Sequence, residues 1–313
     1  MKNKVVIVGT GFVGMSYAYA LLNQGVVEEL VLIDLDKEKA KGEAMDLNHG
    51  LAFAPRKMTI KAGDYSETKD AGLVVITAGV NQKPGETRID LLNRNAKIIQ
   101  AVTRDIMDAG FDGILLVASN PVDVLTYVAW KESKLPSNRV LGSGTSLDTA
   151  RLRYEISKYI HIDSRNIHAY ILGEHGDSEF VCWSKAYVGA KPMMDVIESM
   201  KEIDFHNLEE IYVKVRDAAQ EIISKKKATY YGIGMALVRI TQAIFNNENR
   251  ILPVSVYNDG VYDIENDLYI GLPAVLNKDG VHHVVHLKLS EDEQKKLEKS
   301  SKILKDSLNK MTF

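Results

Sequence analysis

The sequence predicts an α/β chain in which an N-terminal doubly wound parallel sheet is followed by an α+β domain. Short apolar runs, V-V-I-V near the start and I-L-L-V-A further on, alternate with amphipathic stretches through the first half. Strands covered on both faces by crossover helices read this way. A glycine-rich turn joins the first run to the first amphipathic stretch. The second half loses the alternation and ends in strand–turn–strand patterns and a charged helix.

Strands are expected at residues 5–8, 30–34, 58–61, 73–77 and 114–118, with a short sixth near Val140. Helices are expected at 12–24, 37–47, 87–109 and 122–132, with Thr87 as an N-cap. The domain change falls at 142–146, dividing the chain into 1–144 and 145–313. Beyond it a helix over 146–159 precedes a strand over 167–172. That strand feeds the loop Gly173-Glu174-His175-Gly176-Asp177. A long helical region, 208–245, is broken near 226–229. Antiparallel strands follow at 254–257, 269–275 and 281–289, with turns at Asn258-Asp259-Gly260 and Lys278-Asp279-Gly280. Ser290 and Glu293 form the capping box of a final helix.

Composition bounds the function. The 313 residues are 45% apolar and 26% charged, as in an ordinary soluble protein. A net charge of −3 gives no electrostatic case for nucleic acid or an anionic membrane. No apolar stretch approaches about 20 residues, and V-V-I-V is too short for a signal peptide. The single cysteine, Cys182, excludes an intrachain disulfide and suits a reducing, cytoplasmic compartment; its apolar neighbours make it buried filler. The run Lys225-Lys226-Lys227 reads as a solvated helix face. The chain begins almost at once with its first strand, leaving no N-terminal arm.

Gly9-Thr10-Gly11-Phe12-Val13-Gly14 follows a strand and opens a helix. Gly9 permits the turn, Gly11 lets a pyrophosphate approach the backbone, and Gly14 lets helix pack on strand. Asp34, twenty residues after Gly14, ends the next strand. A carboxylate there can take both ribose hydroxyls and would repel a 2′-phosphate, favouring NAD over NADP. The segment from Gly79 to Arg88 leaves the carboxyl edge of the fourth strand. It is either a solvent loop or a lid whose arginine polarises a carbonyl on closure. Ser119-Asn120-Pro121 is either a helix-entry turn or the source of an amide for a substrate oxygen. Asp148 and Arg151 share a helix face. They form a surface pair, or an orienting acid and a bidentate carboxylate grip. His175, between glycines on a loop, is a candidate proton carrier at neutral pH. The other histidines lack zinc-site spacing, so no metal is expected. No G-x-S-x-G elbow points to a hydrolase.

Taken in order, G-T-G-F-V-G, I-D-L-D, I-T-A-G-V-N-Q-K-P-G-E-T-R, S-N-P-V-D, G-T-S-L-D-T-A-R-L-R and G-E-H-G-D resemble the L-lactate/malate dehydrogenase family, on its bacterial NAD-dependent lactate side. The resemblance covers essentially the whole chain. It implies a Rossmann domain for NAD and a C-terminal catalytic domain reducing pyruvate to L-lactate. By resemblance, His175 exchanges the proton with Asp148 behind it, and Arg151 grips the substrate carboxylate. Arg88 polarises the ketone, Asn120 helps hold it, and Thr229 borders the methyl side. Gln82 stands where malate dehydrogenases carry arginine, so pyruvate is preferred to oxaloacetate. Val13, Asp34, Lys39, Tyr65, Gly79 and Val80 match cofactor-contact positions. Ser143 and 118–120 lie near the nicotinamide ribose, and Ile233 packs against the nicotinamide. Arg153 and His168 match a fructose 1,6-bisphosphate site at a subunit interface. A bacterial-type homotetramer is implied. Lys227 departs from the family pattern, which has glycine there, and Gly50 replaces a more usual alanine.

Two other readings stand beside this one. An L-2-hydroxyacid dehydrogenase for bulkier 2-oxo acids would share the chemistry. A non-catalytic NAD-binding sensor would share the fold, but is disfavoured by the presence of His175, Arg151 and Arg88.

Overall fold

The computed structural model describes residues 2–80, 85–200 and 205–311. A nine-stranded sheet runs through the molecule. Its first six strands are β1 (Lys4–Val8), β2 (Glu29–Ile33), β3 (Thr59–Ala62), β4 (Leu73–Ile76), β5 (Ile114–Val117) and β6 (Val140–Gly142). They are parallel and ordered β3-β2-β1-β4-β5-β6. This is the doubly wound Rossmann order, with its switch point between β1 and β4. Every residue of β1, β4 and β5 is buried, so the continuous apolar runs are strands covered on both faces. Helices α1 (Phe12–Gln24), α2 (Lys37–His49), α3 (Arg88–Asp108) and α4 (Val122–Ser133) make the crossovers. Thr87 caps α3 through a reciprocal box with Asp90.

The second half contributes α5 (Ser146–Ile160), β7 (Ile167–His168), β8 (Ile171–Leu172), β9 (Phe180–Val181), β10 (Tyr187–Val188), β11 (Lys191–Pro192) and α6 (Met193–Ser199). Then come α7 (Phe205–Lys226), α8 (Tyr231–Phe245), β12 (Arg250–Tyr257), β13 (Tyr269–Asn277), β14 (Gly280–Val284) and α9 (Glu291–Asn309). The last three strands are antiparallel and extend the first sheet, with Ser255 of β12 in register with Gly142 of β6. One hydrophobic core follows this sheet. A second gathers α5 and α7 around Leu152, Ile156, Ile211 and Val215.

Two expected strands are corrected. The segment 167–172 is two strands in two sheets: β7 pairs with β10, and β8 pairs with β9. The backbone at Ile171 is also taken by Thr149 of α5 and by Thr145 just before it: Thr149 Oγ1 accepts its N–H at 3.0 Å and Thr145 Oγ1 donates to its carbonyl at 2.6 Å. The strand expected to reach Leu289 stops at Val284. Val285 N–H donates to the Pro273 carbonyl at 2.8 Å, but proline has no N–H to return, so the ladder ends. The break in the long helical region falls where expected, between Lys226 and Tyr231. Lys227 sits there at φ 71°, in the left-handed region that favours glycine. Lys226 is not merely solvated: its ammonium lies 3.3 Å from the Tyr230 ring centre.

Candidate active site

The glycine turn meets the steric demands of a pyrophosphate cradle. A Cβ on Gly14 would lie 2.1 Å from the Gly9 carbonyl oxygen, and Gly9 itself is held at φ 107°. A Cβ on Gly11 would meet nothing within 4 Å, so that position opens onto free space. No side chain caps α1 at Gly11, which leaves its first-turn amides and positive dipole end for an anion. Asp34 ends β2 with its carboxylate accepting from Thr10 N and Oγ1 at 2.7 and 2.8 Å, and from Asp36 N at 3.0 Å. Burial pushes this carboxyl up, but the Thr10 and Asp36 hydrogen bonds and the Lys39 charge outweigh it, so Asp34 stays ionised. Tyr65 feels the Asp34 charge, which places Lys39 and Tyr65 around the same acid. These residues fit a dinucleotide with free ribose hydroxyls.

The edges of β4 and β5 are tied together by a residue the sequence reading left unassigned. Asn95 of α3 accepts from Val80 N at 2.9 Å and donates to the carbonyls of Val80 and Asn120. Ser119 Oγ donates to the Ala78 carbonyl at 2.5 Å. Gly79, Val80 and Asn120 thus share one rim, and Asn120 is exposed there. Ser143 is buried at the next strand, its N–H on the Val117 carbonyl. Ile233 lies on α8, which packs on α1 through the buried Tyr17–Thr241 hydroxyl contact at 2.6 Å. The Tyr230 ring stacks on Phe12 at 5.1 Å. Phe12 directly follows Gly11, so this stack brings the half-buried Thr229 segment to the glycine turn.

The histidine loop is anchored on three sides. Gly173 and Gly271 of β13 exchange backbone hydrogen bonds at 3.0 Å. Glu174 N–H donates to Ser300 Oγ of α9 at 2.7 Å. His175 N–H donates to Asp123 Oδ2 of α4 at 2.8 Å, while Ser255 of β12 donates to Asp123 Oδ1 at 2.6 Å. The imidazole then faces Asp148 of α5, Nδ1 to Oδ2, at 2.6 Å. Arg151 donates to the other oxygen, Oδ1, at 3.0 Å. Asp148 is thus the hinge of the cluster, one oxygen on the imidazole and one on the guanidinium.

Electrostatics follow from that geometry. Burial raises the Asp148 carboxyl, but His175 and Arg151 outweigh it and keep it ionised. Burial disfavours a charged imidazole, yet the charge and hydrogen bond of Asp148, with Asp123 behind, hold His175 up at about 9. An ionised Asp148 must accept from Nδ1–H, which leaves Nε2 to exchange a proton with a ligand. A cavity of about 1150 Å³ opens beside the loop, lined by Ile89, Pro121, Val124, Gly176, Glu179 and Tyr212 among others.

Gln82 lies outside the described residues, as does the side chain of Arg88, which opens α3. Arg153 and His168 stand together away from the cluster: Arg153 Nε donates to the carbonyl of Ala169, next to the exposed His168. Asp123 lay inside the quoted S-N-P-V-D motif without a role. Its signal was an acid on an otherwise apolar helix face, V-D-V-L-T-Y-V, a placement that demands a buried partner. Ser255 gave no such signal, because only β12 pairing brings it to Asp123.

Comparison with known proteins agrees with this geometry. Residues 3–142 match the lactate/malate dehydrogenase NAD binding domain. Residues 145–312 match the alpha/beta C-terminal domain of the same family. L-lactate dehydrogenase 2 of Bacillus cereus is 54% identical over 306 residues, 98% of this chain and 97% of that protein. The crystal structure of a lactate dehydrogenase from a Medee basin deep-sea metagenome library is 76% identical. It superposes with a TM-score of 0.99 over 100% of this chain and 99% of its own. The ligand-bound minor L-lactate dehydrogenase of Enterococcus mundtii is 50% identical with a TM-score of 0.97, over 100% of this chain and 99% of its own. With both halves of the family's pattern matched in order along one chain, this NAD-binding protein belongs to the lactate/malate dehydrogenase family.

Proposed function

We propose that the protein is an L-lactate dehydrogenase that reduces pyruvate to L-lactate reversibly with NADH. The observation that carries this is the Asp148 hinge: one carboxylate sets the proton carrier His175 and the carboxylate grip Arg151 in a fixed relation. A proton carrier and a carboxylate grip fixed on one acid suit a 2-oxo acid, whose carboxylate and carbonyl sit on adjacent carbons. Bound NADH supplies the hydride. Arg151 takes the substrate carboxylate and Asn120 helps hold the ketone oxygen. His175 Nε2 gives that oxygen a proton, and Asp148 stabilises the imidazolium before the transfer. In the reverse direction the neutral imidazole takes the alcohol proton. Arg88 is assigned to polarise the carbonyl, Thr229 to border the methyl group and Gln82 to favour pyruvate over a dicarboxylate. The cofactor contacts are assigned to Gly9, Gly11, Val13, Gly14, Asp34, Lys39, Tyr65, Gly79, Val80, Asn120, Ser143 and Ile233.

A regulatory site for fructose 1,6-bisphosphate is assigned to Arg153 and His168. Its support is their adjacency and the charge of Arg250, which is close enough to act on Arg153. The same reading makes the protein a cytoplasmic homotetramer. Among the described residues no helix is long and apolar enough to cross a membrane. NADH absorbance with pyruvate, oxaloacetate and 2-oxoisocaproate, each with and without the sugar bisphosphate, tests the whole reading. Pyruvate should give the highest kcat/KM, and the bisphosphate should lower its half-saturation concentration. Preference for another acid overturns the substrate assignment. An unchanged half-saturation across protein dilutions overturns the effector site.

A further inference from the structure

A second acid stands in the His175 cluster and takes no part in the steps above. Glu179 ends the same loop and is only 5% exposed. A carboxyl oxygen of Glu179, a ring nitrogen of His175 and an oxygen of Asp148 all lie within 4.8 Å of one another. Its backbone is held at both ends: the N–H donates to the Gly176 carbonyl at 3.2 Å, and the Tyr212 hydroxyl of α7 donates to its own carbonyl. The groups acting on the Glu179 carboxyl are charges from three elements: Asp148 and Arg151 of α5, His175 of the loop, and Asp123 of α4. Tyr212, with Glu209, Arg216 and Asp217 near it, faces it from α7, and the shared cavity is lined by Glu174 and Asp177 of the loop and by Asp292, Glu293, Lys296 and Lys299 of α9.

Two carboxylates this close in a dry site do not both ionise readily. Asp148 is the one that stays charged, because both its oxygens are engaged, by His175 and by Arg151. A metal ion is poorly suited to the trio, since the Arg151 guanidinium would repel it. Resting on the lactate dehydrogenase reading, we propose that Glu179 is a positioning residue: it holds a proton beside the His175–Asp148 pair and so keeps the pocket from turning net negative against an anionic substrate. With Glu179 neutral, the charges of Asp148, Asp123, the imidazolium and Arg151 sum to zero. With Glu179 ionised the cluster carries one negative charge, which opposes burial of a substrate carboxylate beside it. Burial pushes the Glu179 carboxyl up, Asp148 adds to it, and His175 and Arg151 only partly oppose, leaving it at about 9. That is where His175 also titrates, so the two lose protons as a coupled pair.

The sign of the effect separates this role from its rivals. Pyruvate reduction requires the imidazolium, which is present below the pKa and lost as pH rises through about 9. In the wild type, ionisation of Glu179 adds a second route to losing substrate affinity. Glu179→Gln keeps the shape and removes that route, so the alkaline limb of kcat/KM for pyruvate should move up by roughly 0.3 unit, the log 2 expected when one of two groups of equal pKa is removed. The change should be carried by KM rather than kcat. A limb that moves down would mean that Glu179 is an ionised support of the imidazolium. A limb that stays put would mean a purely structural role. Either result overturns the proposal. Should the variant fail to fold, the wild type itself decides. An infrared carboxylic-acid band should be present at pH 8 and lost by pH 10, and its absence at pH 8 sinks the idea. Wild-type turnover of pyruvate is measured alongside: its absence would refute the lactate reading, whereas normal turnover with an unmoved limb refutes only Glu179.

Discussion

At the β1–α1 turn, the residues that would meet a pyrophosphate lie within six consecutive positions, Gly9 to Gly14. At the His175 cluster, Asp123, Asp148, His175 and Ser255 come from four elements, and one hydrogen bond in it spans 132 residues of chain. The first site is made of backbone: glycines that let carbonyl and amide groups come close, and a helix end that no side chain caps. The second is made of side chains whose charges depend on one another. A backbone-built site should fail by steric change and carry its stability with it. A side-chain-built site should fail by chemistry while the fold stands.

The largest expected effect tests the second half of that contrast. His175→Asn should lower kcat by roughly 100- to 10,000-fold, the range supplied by a positioned acid–base group. NADH affinity by fluorescence titration and the melting temperature should stay near wild type. Weakened NADH binding in this variant would mean that the two sites are not separate. Next comes Gly14→Ala. The new Cβ would lie 2.1 Å from the Gly9 carbonyl, so the turn must open. Thermal denaturation should show a loss of about 2 kcal/mol or more, with NADH affinity falling in parallel. Wild-type NADH binding by Gly14→Ala would remove the close turn from the argument. The smallest effect is at the linker carrying Thr229. Lys227 at φ 71° bears a left-handed cost of about 1–2 kcal/mol, while glycine there would add about 0.5–1 kcal/mol of unfolded-state entropy. Lys227→Gly should therefore stabilise by ~1 kcal/mol or less in a denaturant titration. A destabilised variant would show that contacts of this lysine outweigh its backbone strain.

How much was legible follows the same division. The parallel strands were read nearly residue for residue, because burial on both faces leaves no polar interruption in runs such as V-V-I-V. The N-cap at Thr87 and the capping box at Ser290 were equally local and are present. The segment 167–172 misled, because its β-branched run says nothing about two different partners for its two ends. The limit placed on β14 by Pro273 was invisible for a like reason: the proline belongs to the partner strand. Within the site, Asp148, Arg151 and His175 were named through short motifs and a family resemblance. Asp123 was inside such a motif, yet its bond to the His175 amide required the fold. Glu179 carried no motif.

By itself, then, the sequence determined the strand and helix inventory of the first half, the glycine turn with Asp34 behind it, and the candidate for the proton carrier. These depend on periodicity, backbone freedom and residue type, all expressed over a few neighbouring positions. Only the tertiary structure decided that the antiparallel strands continue the Rossmann sheet, that Asp123 and Ser255 lock the histidine loop, and that Glu179 shares a buried space with Asp148. Those are facts about which charges and amides meet away from water, and a chain acquires them only when distant segments close on one another.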